Sequence, residues 1–126
     1  IGFYKGWPLC QGSILPILEH FGIMLNYGHR LSAIIVGGLL LYVEREARND
    51  FKGSKSVVER MLKITGLFYF INIILGGLYV ITAVDGVFLG WLSLMHLLVG
   101  ACVFLTLATT YLLTNLTISK EKNVPN

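Results

Sequence analysis

Three apolar stretches decide what this chain can become. Residues 17–43, 64–84 and 87–113 are each long enough to cross a bilayer as a helix, because about 20 apolar residues span the hydrocarbon core. The first is apolar throughout 31–43, apart from Ser32 and the small Gly37 and Gly38. A backbone in hydrocarbon must satisfy its own N–H and C=O groups, which leaves helices and closed barrels. Runs of this length fit helices. Only 13% of the 126 residues are charged and 55% are hydrophobic, too few charges to cover a water-facing domain. The expected fold class is therefore all-α. It is an integral membrane helical bundle with three transmembrane helices, and residues 1–126 form one transmembrane domain. The net charge of +3 gives no reason to expect a nucleic-acid partner; membrane lipid is the expected surroundings.

The polar segments set the orientation. Residues 1–16 read as an outer loop, broken by Gly2, Gly6, Pro8, Gly12 and Pro16, with Tyr4 and Trp7 suited to an interface. Six basic residues, Arg45, Arg48, Lys52, Lys55, Arg60 and Lys63, lie in a connector over 44–63 that breaks at Gly53 and Ser54. Lys120 and Lys122 lie in the tail, 114–126. The positive-inside rule puts connector and tail in the cytoplasm. Asp85 and Gly86 read as a tight turn on the outside. The chain opens on Ile1 with no legible leader, and three spans starting outside point to one more helix upstream. Cys10 precedes the first span and Cys102 lies deep in the third, so no disulfide between them is expected.

Two histidines stand inside these apolar runs. An ionisable side chain there is expensive and marks a functional site by default. With helix starts at 17 and 87, His29 lies roughly 18 Å and His96 roughly 14 Å from the outer end, at 1.5 Å per residue. Two facing helices bring such rings to one level. Gly22, Ala33 and Gly37 share the His29 face; Ser93 and Gly100 flank His96; the second span offers Asn72, Gly76 and Gly77. Small residues leave a flat wall for a porphyrin, or simply let helices pack closely. Two imidazoles suggest axial ligands of a haem iron, with His29 and His96 as the metal ligands; the plainer alternative is a hydrogen-bonded polar pair. A zinc site lacks third and fourth ligands at that level. His20, nine residues before His29, falls on the opposite side of a regular helix and reads as interfacial. Arg30 needs an anion, such as a haem propionate, or else snorkels to the surface. Glu19 and Asn26 share a stripe near the His29 face. Asn26, Asn72 and Gly100 are candidate pocket residues around the haem.

Three segments carry a family resemblance. Trp7-Pro8-Leu9-Cys10-Gln11-Gly12 followed by Pro16, then His29-Arg30-Leu31, then Leu75-Gly76-Gly77-Leu78-Tyr79-Val80 with His96-Leu97, stand in the order found in the heme A synthase family. The chain resembles that family over nearly its whole length. The resemblance implies one half of the family's two four-helix haem-binding units, lacking that half's first helix. It implies a haem of b or O type and its iron, ligated by His29 and His96. It also implies oxidation of the methyl group of the substrate haem O to the formyl group of haem A, for terminal oxidase assembly. A half-size member would work as a homo-oligomer. Two positions depart from the family pattern. Asn26 stands where its substrate half tends to carry Glu, with Glu19 two turns away as a substitute, and Phe3 stands where a second Cys often lies. Both departures bear on catalysis, for which Glu19 and Asn26 are the candidates, and leave haem binding untouched. A second reading is a non-catalytic b-type cytochrome or an accessory subunit of a respiratory complex. Three-helix anchors of succinate dehydrogenase have a similar size, but the Trp7–Cys10 motif and the Gly76-Gly77 segment argue against them. A third is a structural subunit with no cofactor. The expected location is a prokaryotic cell membrane rather than the mitochondrial inner membrane.

Overall fold

The computed structural model describes residues 7–9, 13–14, 17, 20–50, 57–83 and 87–122. Among them are three helices: α1 (Phe21–Asp50), α2 (Val57–Ile81) and α3 (Gly90–Lys122). Each is long and apolar enough to cross a membrane, over Phe21–Asn49, Val57–Ile81 and Gly90–Leu116. Only 6% of the best apolar window of α1, and 11% of those of α2 and α3, is buried inside the protein. Leucines and isoleucines such as Ile34, Leu41, Leu97 and Leu105 point outward. In water that surface would be an aggregation hazard; in lipid it is the solvent-facing side. The chain is an all-helical protein built for a bilayer.

The helices overrun the apolar stretches that announce them. α1 starts at Phe21 rather than at residue 17, where the His20 carbonyl accepts the first N–H bonds, from Ile23 (3.0 Å) and Met24 (3.1 Å). It then continues beyond residue 43 into the charged connector, where Arg48 pairs with Glu44 one turn earlier (2.9 Å). α2 likewise begins seven residues before position 64, supported by Lys63 on Glu59 (2.6 Å). α3 runs on past residue 113 as far as Lys122, so most of the expected tail is helical. Expectations for Tyr4, Cys10, Glu19, the Gly53-Ser54 break and the Asp85-Gly86 turn fall outside the described residues.

α2 is the spine. It packs along α3 and along α1, whereas no described Cα of α1 comes within 8 Å of one in α3. At the connector end Ala47, Val58 and Leu62 form a small buried cluster, joined by Leu113 of α3. At the other end Ile23 and Leu92 are buried, and Tyr79 stacks on Phe88 with ring centres 4.9 Å apart. Threonine hydroxyls inside the bilayer are returned to their own helix. Thr106, Thr109, Thr110 and Thr114 of α3 each donate to the carbonyl four residues earlier, and so does the fully buried Thr65 of α2.

The α1–α2 seam turns on one tyrosine. The Tyr69 hydroxyl donates to the Ala33 carbonyl. A Cβ on Gly37, one turn on, would stand 3.0 Å from the Tyr69 ring, so the missing methyl admits the ring. Tyr69→Phe is expected to weaken the association by about 0.6 kcal/mol, the usual worth of an interhelical hydrogen bond in membranes, and at most by about 1.7 kcal/mol. Gly37→Leu, which displaces the ring itself, should cost more. Reversible unfolding in mixed detergent micelles measures both.

Candidate functional site

The pair of histidines is brought together. The His29 and His96 rings face each other with centres 6.2 Å apart and planes crossing at 77°. They lie about 12 Å and about 9 Å from the starts of their helices. These depths replace the larger ones expected from residues 17 and 87, because both helices begin later. His29 is exposed and His96 half-buried. α1 and α3 do not pack on each other, so the two rings meet between helices that are each held by α2.

His96 is held by α2 through an arrangement that glycine makes possible. Its Nδ1 lies 3.0 Å from the backbone carbonyl of Asn72. A carbonyl only accepts, so Nδ1 carries the proton and donates, which leaves the Nε2 lone pair available to a ligand. A Cβ on Gly76 would meet Cε1 of His96 at 3.0 Å and Nδ1 at 3.3 Å. The helical ladder already pairs the Asn72 carbonyl with the N–H of Gly76, four residues on, so the imidazole shares that carbonyl beside a residue with no side chain. A histidine whose second nitrogen is fixed by a backbone carbonyl is what metal ligation asks for. His29 has no hydrogen bond among the described residues, and its recorded neighbour is the His96 ring. The pair is thus asymmetric: one ring is fixed, the other is placed by α1 alone.

Arg30 is where the sequence reading and the structure differ most. Instead of snorkelling away, its Nη1 donates to two backbone carbonyls of the segment before α1, Pro8 (3.2 Å) and Leu9 (2.5 Å). Its Nε donates to Asn26 Oδ1 at 2.9 Å, so Asn26 orients the guanidinium from one turn earlier. The remaining nitrogen, Nη2, is buried with no hydrogen-bond partner among the described residues. Trp7, joined to Pro8 by a cis peptide bond, lays its indole on α2. A Cβ on Gly77 would come within 2.8 Å of the Trp7 ring. Neither contact was legible in the sequence: carbonyl acceptors carry no residue signature, and adjacent glycines read as one feature. They serve different neighbours because successive side chains point about 100° apart on a helix.

The other candidates divide. Asn72 belongs to the site through its carbonyl, and its side-chain Oδ1 is buried without a partner. Gly100 lies against the Asn72 amide, 3.5 Å from where its Cβ would be, and makes no approach to His96 within 4 Å. Gly37 serves the Tyr69 seam rather than the histidine pair. His20 sits at the start of α1, outside the pair. Glu19 lies outside the described residues. Cys102 is a free, half-buried thiol. No group of three or more His, Cys, Asp or Glu side chains gathers among the described residues, so a bare metal ion would find two donors at most.

Two donors are enough for a metal that brings its own equatorial ligands. A metal–imidazole bond of about 2 Å and about 1 Å from nitrogen to ring centre, on each side, amount to about 6 Å between ring centres. A shared axis leaves the two ring planes free to rotate about it, so a crossing angle of 77° is admissible. The unpartnered Arg30 Nη2 is a buried cationic donor, a costly state that a carboxylate relieves. A bis-imidazole haem with propionate groups fits these residues. No family model, curated protein or solved structure matches the chain.

Gly76→Val should push the His96 ring off the Asn72 carbonyl. Nitrogen-15 NMR of labelled histidine is expected to show the Nδ1–H tautomer in the parent and a tautomer mixture in the variant.

Proposed function

We propose that this chain is a haem-binding membrane oxidoreductase resembling heme A synthase. One observation carries the reading: the His29 and His96 rings stand 6.2 Å apart between α1 and α3, with His96 fixed by a backbone carbonyl. Bound there, a haem of b or O type supplies one-electron iron chemistry. The protein's own residues bind and orient. His29 and His96 would hold the iron. The Asn72 carbonyl keeps the His96 proton on Nδ1. Arg30 would offer Nη2 to a propionate while Nη1 holds the Pro8 and Leu9 carbonyls and Nε donates to Asn26. In the heme A synthase reading, haem O is the substrate and its methyl group is oxidised to formyl, in a prokaryotic cell membrane with the connector and tail in the cytoplasm. A half-size chain would act as a homo-oligomer.

One observation favours a second reading, a b-type cytochrome that passes electrons without catalysis, alone or as an accessory subunit of a respiratory complex. Asn26 stands where the family's substrate half tends to carry a carboxylate, and its oxygen is engaged by Arg30. It is a support for the arginine, with no basicity to offer a reacting group.

Protein purified in mild detergent is expected to show a Soret band and a pyridine haemochrome. His29→Ala and His96→Ala should each convert a low-spin spectrum to high spin or release the pigment. A colourless, folded parent protein overturns the reading. Supplying haem O and analysing extracted haems separates the two versions: haem A appears only if the chain is catalytic.

A further inference from the structure

His29 makes no hydrogen bond among the described residues, so what holds it at 6.2 Å from His96 acts through α1. The next residue, Arg30, donates to Pro8 and Leu9 carbonyls, and Trp7 of the same segment rests on Gly77, next to the glycine that seats His96. The segment 7–9 therefore touches α1 one residue from one imidazole and α2 one residue from the seat of the other. At this end of the bundle no Cα of α3 lies within 8 Å of α1. The Tyr69–Ala33 bond between α1 and α2 lies about one turn farther along α1, four residues after His29.

We infer that the Trp7-Pro8-Leu9 segment is a strap that sets the His29–His96 spacing, with Arg30, Asn26 and Gly77 as its positioning residues. The physical argument is one of leverage. A guanidinium hydrogen-bonded to two carbonyls is a charge-assisted, two-point tether. An indole over a glycine adds a broad apolar contact that fixes the other end. Asn26, four residues before Arg30, removes a rotamer choice from the arginine. Released at either end, the strap leaves α1 free to move His29 away from His96, which keeps its Asn72 partner. The strap thus governs one axial position and not the other. This inference rests on the haem reading above.

Arg30→Met cuts the first anchor and Gly77→Leu fills the Trp7 seat without touching Arg30. Both are compared with His29→Ala and the parent, as purified haem-loaded protein. The expected result is that both strap variants lose most of the low-spin spectrum, as His29→Ala does, and that millimolar imidazole restores it. In a Trp91→Phe background, quenching of Trp7 fluorescence by iodide should rise in Arg30→Met, with or without haem, and that readout reports the strap directly. If His29→Ala loses low-spin ligation while both strap variants keep it, the strap inference is overturned and the haem reading stands. If His29→Ala changes nothing, the haem reading fails and the strap's role falls with it. Should Gly77→Leu fail to fold, Arg30→Met and the iodide measurement decide alone.

Discussion

An imidazole N–H bonded to the carbonyl of a helix that already uses it is the contact on which the rest of this protein depends. In water such a bond would be worth little, because both groups have other partners. Within a bilayer the alternative is an unpaired polar group in hydrocarbon, and the balance moves toward the bond. The contact demands that a side chain reach the helix backbone, and that demands a missing side chain one turn on. Gly76 meets it for His96, and Gly37 meets it for Tyr69. The same device is used twice, on opposite partners of α2: once receiving a donor from α3, once sending one to α1.

These two joints explain why α2 is central although its sequence carries few polar groups. Helices in lipid gain little from burying leucine against leucine, since lipid tails are equally apolar. What discriminates one helix pairing from another is the fit of ring against glycine and the pairing of donor with carbonyl. α1 and α3 each find such a partner in α2 and no close backbone approach to one another, so what meets between them is the pair of histidine rings, edge to face.

Much of this was readable from residues alone, and the unread part has a physical cause. Hydropathy revealed three spans because the bilayer's demand is a simple sum over residues. Helix ends were misjudged because ion pairs such as Arg48 with Glu44 prolong a helix that hydropathy treats as finished. His29 and His96 stood out because charge in hydrocarbon is costly. The partner of Arg30 did not, since Pro8 and Leu9 act through carbonyls that every residue possesses. Tyr69 was passed over as one more apolar residue; its hydroxyl matters only because α1 brings the Ala33 carbonyl to it.

The gap between α1 and α3 has a consequence for traffic. The helices on either side are apolar over membrane-spanning lengths and keep no Cα within 8 Å of each other, so their separation faces hydrocarbon along its length. A visitor must first dissolve in the bilayer, and its supply there is set by its oil–water partition coefficient, not by its abundance in the surrounding water. Flat, greasy molecules are concentrated at the entrance.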